Sequence, residues 1–184
     1  MLRLRQYKSC DAETIITWCK DEISFRKWCS DRWPHFPITA EDMNEKYFGN
    51  NGDCSDADNF YPITALDGND VVGHLILRYT DDERRVLRFG FVIVDDTKRG
   101  KGYGKEMLTL TLKLAFDIMG AEKVTLGVFD NNAPAYHCYK AAGFTETGEC
   151  YSMKLLGEDW KCVEMELERT DYYAEPQGKQ NYRN

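Results

Sequence analysis

The stretch from residue 86 to residue 119 constrains the fold more than any other part of the chain. Val86–Val94 is apolar and rich in β-branched residues, the run Lys98-Arg99-Gly100-Lys101-Gly102-Tyr103-Gly104-Lys105 is a basic glycine turn, and residues 107–119 repeat apolar side chains at helical spacing. Strand, turn and helix in that order predict an α/β unit, and the β-rich residues 123–128 supply the strand that returns parallel to the first through a right-handed crossover. Glycines at alternate positions let backbone amides approach a ligand closely, because no Cβ stands in the way. The unpaired N–H groups of the helix start, together with the positive end of its dipole, favour an anion there. Four cations, Lys98, Arg99, Lys101 and Lys105, surround the same turn. The pattern suits a pyrophosphate, although a tight turn with solvated lysines fits the run as well. Even spacing of Gly100, Gly102 and Gly104 separates it from a dinucleotide-binding turn. Glu106 stands where a P-loop requires a magnesium-binding hydroxyl.

The flanking sequence supplies the rest of one domain. Residues 2–5 alternate as a short strand, and residues 11–19, 21–30 and 39–48 read as helices, with Trp33-Pro34 breaking the second from the third. Residues 50–59 are polar and read as a loop. Its acids Asp53, Asp56 and Asp58 lack the glycine and terminal glutamate of a calcium loop. Strands follow at 61–66 and 71–79 around the turn Asp67-Gly68-Asn69-Asp70. Residues 134–142 form a short helix ending at Gly143, and two last strands, about 145–156 and 160–168, turn at Gly157. Residues 170–184 read as a loose tail.

Totals narrow the partners. With 184 residues the chain is long enough for one substantial core. A net charge of −7 argues against a nucleic-acid binder. It tolerates a cationic substrate, but it also serves solubility alone. Seven cysteines without a Cys-x-x-Cys pair indicate neither a zinc site nor a disulfide framework, and so a reduced, cytoplasmic protein with no metal. No apolar stretch reaches membrane-spanning length, and the start is no signal peptide, so no membrane partner is expected.

A second segment extends the glycine turn. Asn132-x-x-Ala135-x-x-x-Tyr139-x-x-x-Gly143-Phe144 begins where the fifth strand ends. This segment and Arg99-x-x-Gly102-x-Gly104 together resemble the two cofactor motifs of the GNAT superfamily of acyl-CoA-dependent N-acetyltransferases, over about residues 2–169. The resemblance implies a single α/β (α+β) domain, 1–169, with a mixed sheet of about seven strands flanked by helices and splayed between the fourth and fifth. It implies that the pantetheine arm of acetyl-CoA pairs with the exposed fourth strand at Phe91, Val92, Ile93 and Val94. The pyrophosphate would then rest on Lys98, Arg99, Gly100, Lys101, Gly102, Tyr103, Gly104 and Lys105.

Transfer to an amine acceptor needs a neutral nitrogen, an N–H donor for the carbonyl oxygen and an acid for the departing thiolate. By resemblance Tyr139 is that acid, with packing of its helix as the alternative. Tyr136, three residues earlier, would line the same groove, and His137 is an exposed or partly buried neighbour. Asn132 caps the helix and, by resemblance, also contacts the cofactor arm. Some relatives carry a glutamate base on the fourth strand, eleven residues before the arginine of the glycine motif. Here that position is Arg88. His74 is an alternative base or a packed strand histidine. Trp28, Trp33, Phe36, Tyr151 and Trp160 frame an acceptor groove or belong to the core. A non-catalytic acyl-CoA sensor or scaffold is the competing reading, and a homodimer is implied only at the level of the family.

Overall fold

The computed structural model describes residues 1–51 and 59–174. Seven strands, β1 (Leu2–Gln6), β2 (Tyr61–Asp67), β3 (Asp70–Tyr79), β4 (Val86–Val94), β5 (Lys123–Phe129), β6 (Thr145–Leu155) and β7 (Glu158–Glu168), form one mixed sheet in the order β1-β2-β3-β4-β5-β7-β6. The helices are α1 (Ala12–Ile15), α2 (Glu22–Cys29), α3 (Ala40–Asn51), α4 (Tyr103–Lys113), α5 (Ala133–Ala141) and α6 (Arg169–Ala174). Each strand expected from the sequence forms within about two residues of its expected ends. Residues 50 and 51 close α3 rather than opening a loop. The expected loop acids Asp53, Asp56 and Asp58 lie outside the described residues.

Alternation along the strands sends side chains to two cores. Leu75, Leu77, Leu87 and Phe89 face Met107, Leu108 and Leu112 of α4. Ile76 and Ile93 face Ile15, Phe25, Trp28 and Met43 of α1, α2 and α3. Helix α4 passes into a π-helical turn, Leu114–Ile118, before Gly120 reverses the chain at φ 74°. The expected boundary near residue 169 falls at the start of a helix. Within α6, Tyr172 packs its ring 4.9 Å from Phe116, and Tyr173 donates to Asp117. Residues 169–174 are thus helical and Tyr172 reaches the core, which their polar-looking sequence conceals.

Two features of β4 create the site. β4 and β5 pair in parallel only from Val86–Arg88 to Lys123–Thr125, whereas β5 pairs with β7 over its whole length. Beyond Arg88 the two strands diverge and leave a gap. Against β3, His74 pairs with Ile93 and Ile76 with Gly90, so β4 carries one extra residue, a bulge. Phe91 lies in that bulge at φ 50°. A non-glycine residue there costs about 1–2 kcal/mol, which the surroundings must offset.

Candidate active site

The glycine turn leads from β4 to α4 and presents open donors. None of the amides of residues 99–105 donates to an oxygen of a described residue. Gly100 and Gly102 stand at φ 76° and 86°, with nothing within 4 Å of where a Cβ would point. Any L-residue there would be strained, and the open space lies on the side a ligand would approach. Around the turn, Lys98 bonds Asp70 at 3.3 Å, while Arg99, Lys101 and Lys105 make no ion pair with any described residue. Gly104 serves a different purpose: its Cβ would lie 3.1 Å from Cys138 Sγ, so its absence lets α4 and α5 approach.

A cavity of about 420 Å³ runs from this turn into the gap. Val92, Ile93, Val94, Asn132 and Tyr139 line it beyond the turn residues. Ser24, Lys27 and Cys138 also stand on its walls with no signal in the sequence, since their approach depends on how α2 and α5 pack, and Trp28, expected at an acceptor groove or in the core, joins them. Tyr139 is 7% exposed, its ring 6.2 Å edge-on from Phe144, and its hydroxyl bonds no described residue. Burial raises its pKa, so the phenol keeps its proton at neutral pH. Asn132 holds the N-cap position of α5, yet its side chain makes no capping bond and is left to the cavity. Tyr136 is outside the cavity and donates to Glu146 at 2.5 Å. Lys101 also stands off its walls, and His137 is exposed.

Phe91 lines the opposite side of the gap. Trp28 Nε1 donates to its carbonyl at 2.8 Å, and the rings of Trp28, Trp33 and Tyr47 lie 5.9, 5.4 and 6.3 Å from its own. These contacts hold the strained bulge in place. A second cavity, about 760 Å³, opens there and shares Lys27 and Trp28 with the first. Tyr151 lines it, but Trp33 and Trp160 are core residues at 4% and 5% exposure, and Phe36 packs on Phe25. Arg88, where a base was sought, bridges the gap in a two-pronged pair with Glu164 of β7 at 2.7 and 2.8 Å. Gly127 makes room for it, since a Cβ would lie 2.8 Å from Arg88 Nη2. His74 is fully buried, bonded to the Tyr47 hydroxyl at 2.7 Å, and its pKa is pushed down to about 3 by burial. It is a packed strand histidine with no route to the gap.

The family description "Acetyltransferase (GNAT) family" matches residues 17–144. An uncharacterised SPbeta prophage-derived N-acetyltransferase of Bacillus subtilis is 29% identical over 116 residues, 62% of each chain. An L-amino acid N-acetyltransferase of Escherichia coli is 31% identical over 96 residues, 50% of this chain and 58% of that one. The chain thus spans about three fifths of the length of these curated relatives. Among solved structures, a spermidine N-acetyltransferase of Vibrio cholerae in complex with CoA and spermine superposes with a TM-score of 0.78 at 20% identity, over 94% of this chain and 98% of that one. That similarity concerns the fold. Among the described residues, no helix is long and apolar enough to cross a membrane, and no group of three or more His, Cys, Asp or Glu is arranged to hold a metal ion.

Proposed function

Since the chain belongs to the acetyltransferase (GNAT) family, we propose that it moves an acetyl group from acetyl-CoA directly to a primary amine. One observation carries the reading: unpaired amides at residues 99–105 open onto a cavity that follows the free edge of β4 to Tyr139. The donor set fits a diphosphate, and the apolar wall of Val92, Ile93 and Val94 fits an extended thioester arm. Acetyl-CoA supplies an activated acyl group when bound.

The chain's own residues would do the remaining work. Amides 99–105 and the cations Arg99 and Lys105, which make no ion pair with any described residue, hold the diphosphate. β4 amides without a partner on β5 stabilise charge developing on the acyl oxygen. Tyr139 protonates the departing sulfur, and its raised pKa keeps the proton available. With Arg88 already paired to Glu164, no fourth-strand carboxylate takes a proton from the amine, so the acceptor binds neutral or loses its proton through water.

A Tyr139 hydroxyl that bonds no described residue favours transfer over mere binding, the alternative being an acyl-CoA sensor. The deciding experiment is thiol release from acetyl-CoA across a panel of amino acids, peptides and polyamines. Release with any of them supports the transferase. CoA binding without release from the whole panel would establish the sensor instead. The six described cysteines are free thiols, which supports a cytoplasmic setting. A homodimer, expected from the family alone, is open to light scattering.

A further inference from the structure

The second cavity is charged opposite to the chain that holds it. Among the described residues, Lys27, Arg32, Lys46, Arg78 and Arg88 line it against Asp31, in a protein of net charge −7. Three of these cations are engaged. Lys27 donates to the Asn131 carbonyl at 2.8 Å, Arg88 pairs with Glu164, and Lys46 lies 5.1 Å over the Trp33 ring. The guanidinium groups of Arg32 and Arg78 make no hydrogen bond or ion pair with any described residue. Arg78 also stands directly opposite Arg88 across the β3–β4 ladder. Like charges so placed repel, and Glu164 neutralises only one of them. Burial first, and then the charges of Arg88 and Arg32, lower the Arg78 pKa.

We propose that the acceptor is an amine that also carries an anion, a carboxylate or a phosphonate, and that Arg78 with Arg32 binds that anion. This rests on the transferase reading and names its substrate class. Arg88, the cross-strand neighbour of Arg78, lies three residues before Phe91, roughly 10 Å along β4. A short acceptor thus reaches the gap with its nitrogen while its anion meets the guanidinium groups. A polyamine would instead bring ammonium groups against two unpaired arginines.

The test uses the full chain at saturating acetyl-CoA. Large apolar α-amino acids and aminoalkylphosphonates are compared with their uncharged carboxamides or esters and with spermidine, each rate corrected for the fraction of neutral amine. We expect kcat/KM for the charged acceptor to exceed its uncharged analogue by about tenfold or more, as charge-assisted hydrogen bonds imply. In Arg78→Gln and Arg32→Gln that ratio falls toward one with thermal melting unchanged. Uncharged analogues or spermidine used as well as the acids, or ratios unmoved in both variants, would overturn the proposal. If no amine releases CoA, the transferase reading fails by itself. Calorimetry of the same acids on the CoA-loaded chain and on Arg78→Gln then decides the anion site: affinity lost in the variant supports it, and no binding refutes it.

Discussion

Tyr139 shows how far a single residue can be read from sequence. Its place in the Asn132-x-x-Ala135-x-x-x-Tyr139 pattern marks it, but only packing decides that it lines the cavity with a hydroxyl bonded to no described residue. Tyr139→Phe should slow transfer about a hundredfold or more while leaving acetyl-CoA affinity nearly unchanged. Equal rates would remove it as the acid. Because its pKa is raised, the phenol stays protonated through the range where amines lose their protons. The rate should therefore rise with pH and show no descending limb below about pH 10; a fall near neutrality would contradict this. His74 makes the complementary point, since the sequence left it between base and core. Its folded pKa of about 3 lies below the ordinary 6.5, so the unfolded chain binds the extra proton between those values. Stability is complete above the upper value and declines as pH falls, by roughly 1.4 kcal/mol per unit from this group. Urea midpoints flat from pH 7 to 5 would refute that assignment.

At the scale of elements, the gap between β4 and β5 is the decisive construction. Periodicity located both strands, and the basic turn located α4, because these signals are local. The extra residue at Phe91 left no such mark. A bulge is a matter of register between two strands, and the phenylalanine that adopts it is not a residue that advertises a positive φ. Arg88 with Glu164 is hidden for the same reason: 76 residues separate partners that only β5 and β7 bring together. Gly127 is the hinge of that arrangement. Its Cβ would lie 2.8 Å from Arg88 Nη2, 2.9 Å from Cys162 Sγ and 3.2 Å from Glu164 Oε1. Gly127→Ala should cost about 1–3 kcal/mol, as overpacking does, read as a lower urea midpoint. It should also weaken discrimination among acceptors, since Arg88 must move; a variant as stable as the parent would show that the wall yields freely.

Over the whole molecule, one sheet separates two cavities that meet at Lys27 and Trp28, and each is bounded by elements distant in sequence. A ligand that fills the first engages α2, β4, α4 and α5 at once, so its binding should stabilise the entire domain. At acetyl-CoA a hundredfold above its Kd the gain is about 2.7 kcal/mol, or roughly 5–10 °C in Tm for a chain of this size. No shift in a thermal melt would deny the site. The glycine turn, the helix after it and the paired motif at 132–144 were legible because short-range spacing sets their backbone, and through resemblance they carried the family. The aromatic groove was not, because tryptophans at 28, 33 and 160 read alike until packing buries all three and leaves only Trp28 on a cavity wall. Net charge is silent on this for the same reason: −7 is a sum over the chain, whereas a ligand meets the few side chains that face it. Sequence alone thus determined the order of elements and the basic glycine turn, both properties of neighbouring residues. The strained bulge, the Arg88–Glu164 bridge and the basic wall of the second cavity were decided only by the fold, because each is a relation between strands or helices that the chain brings together last.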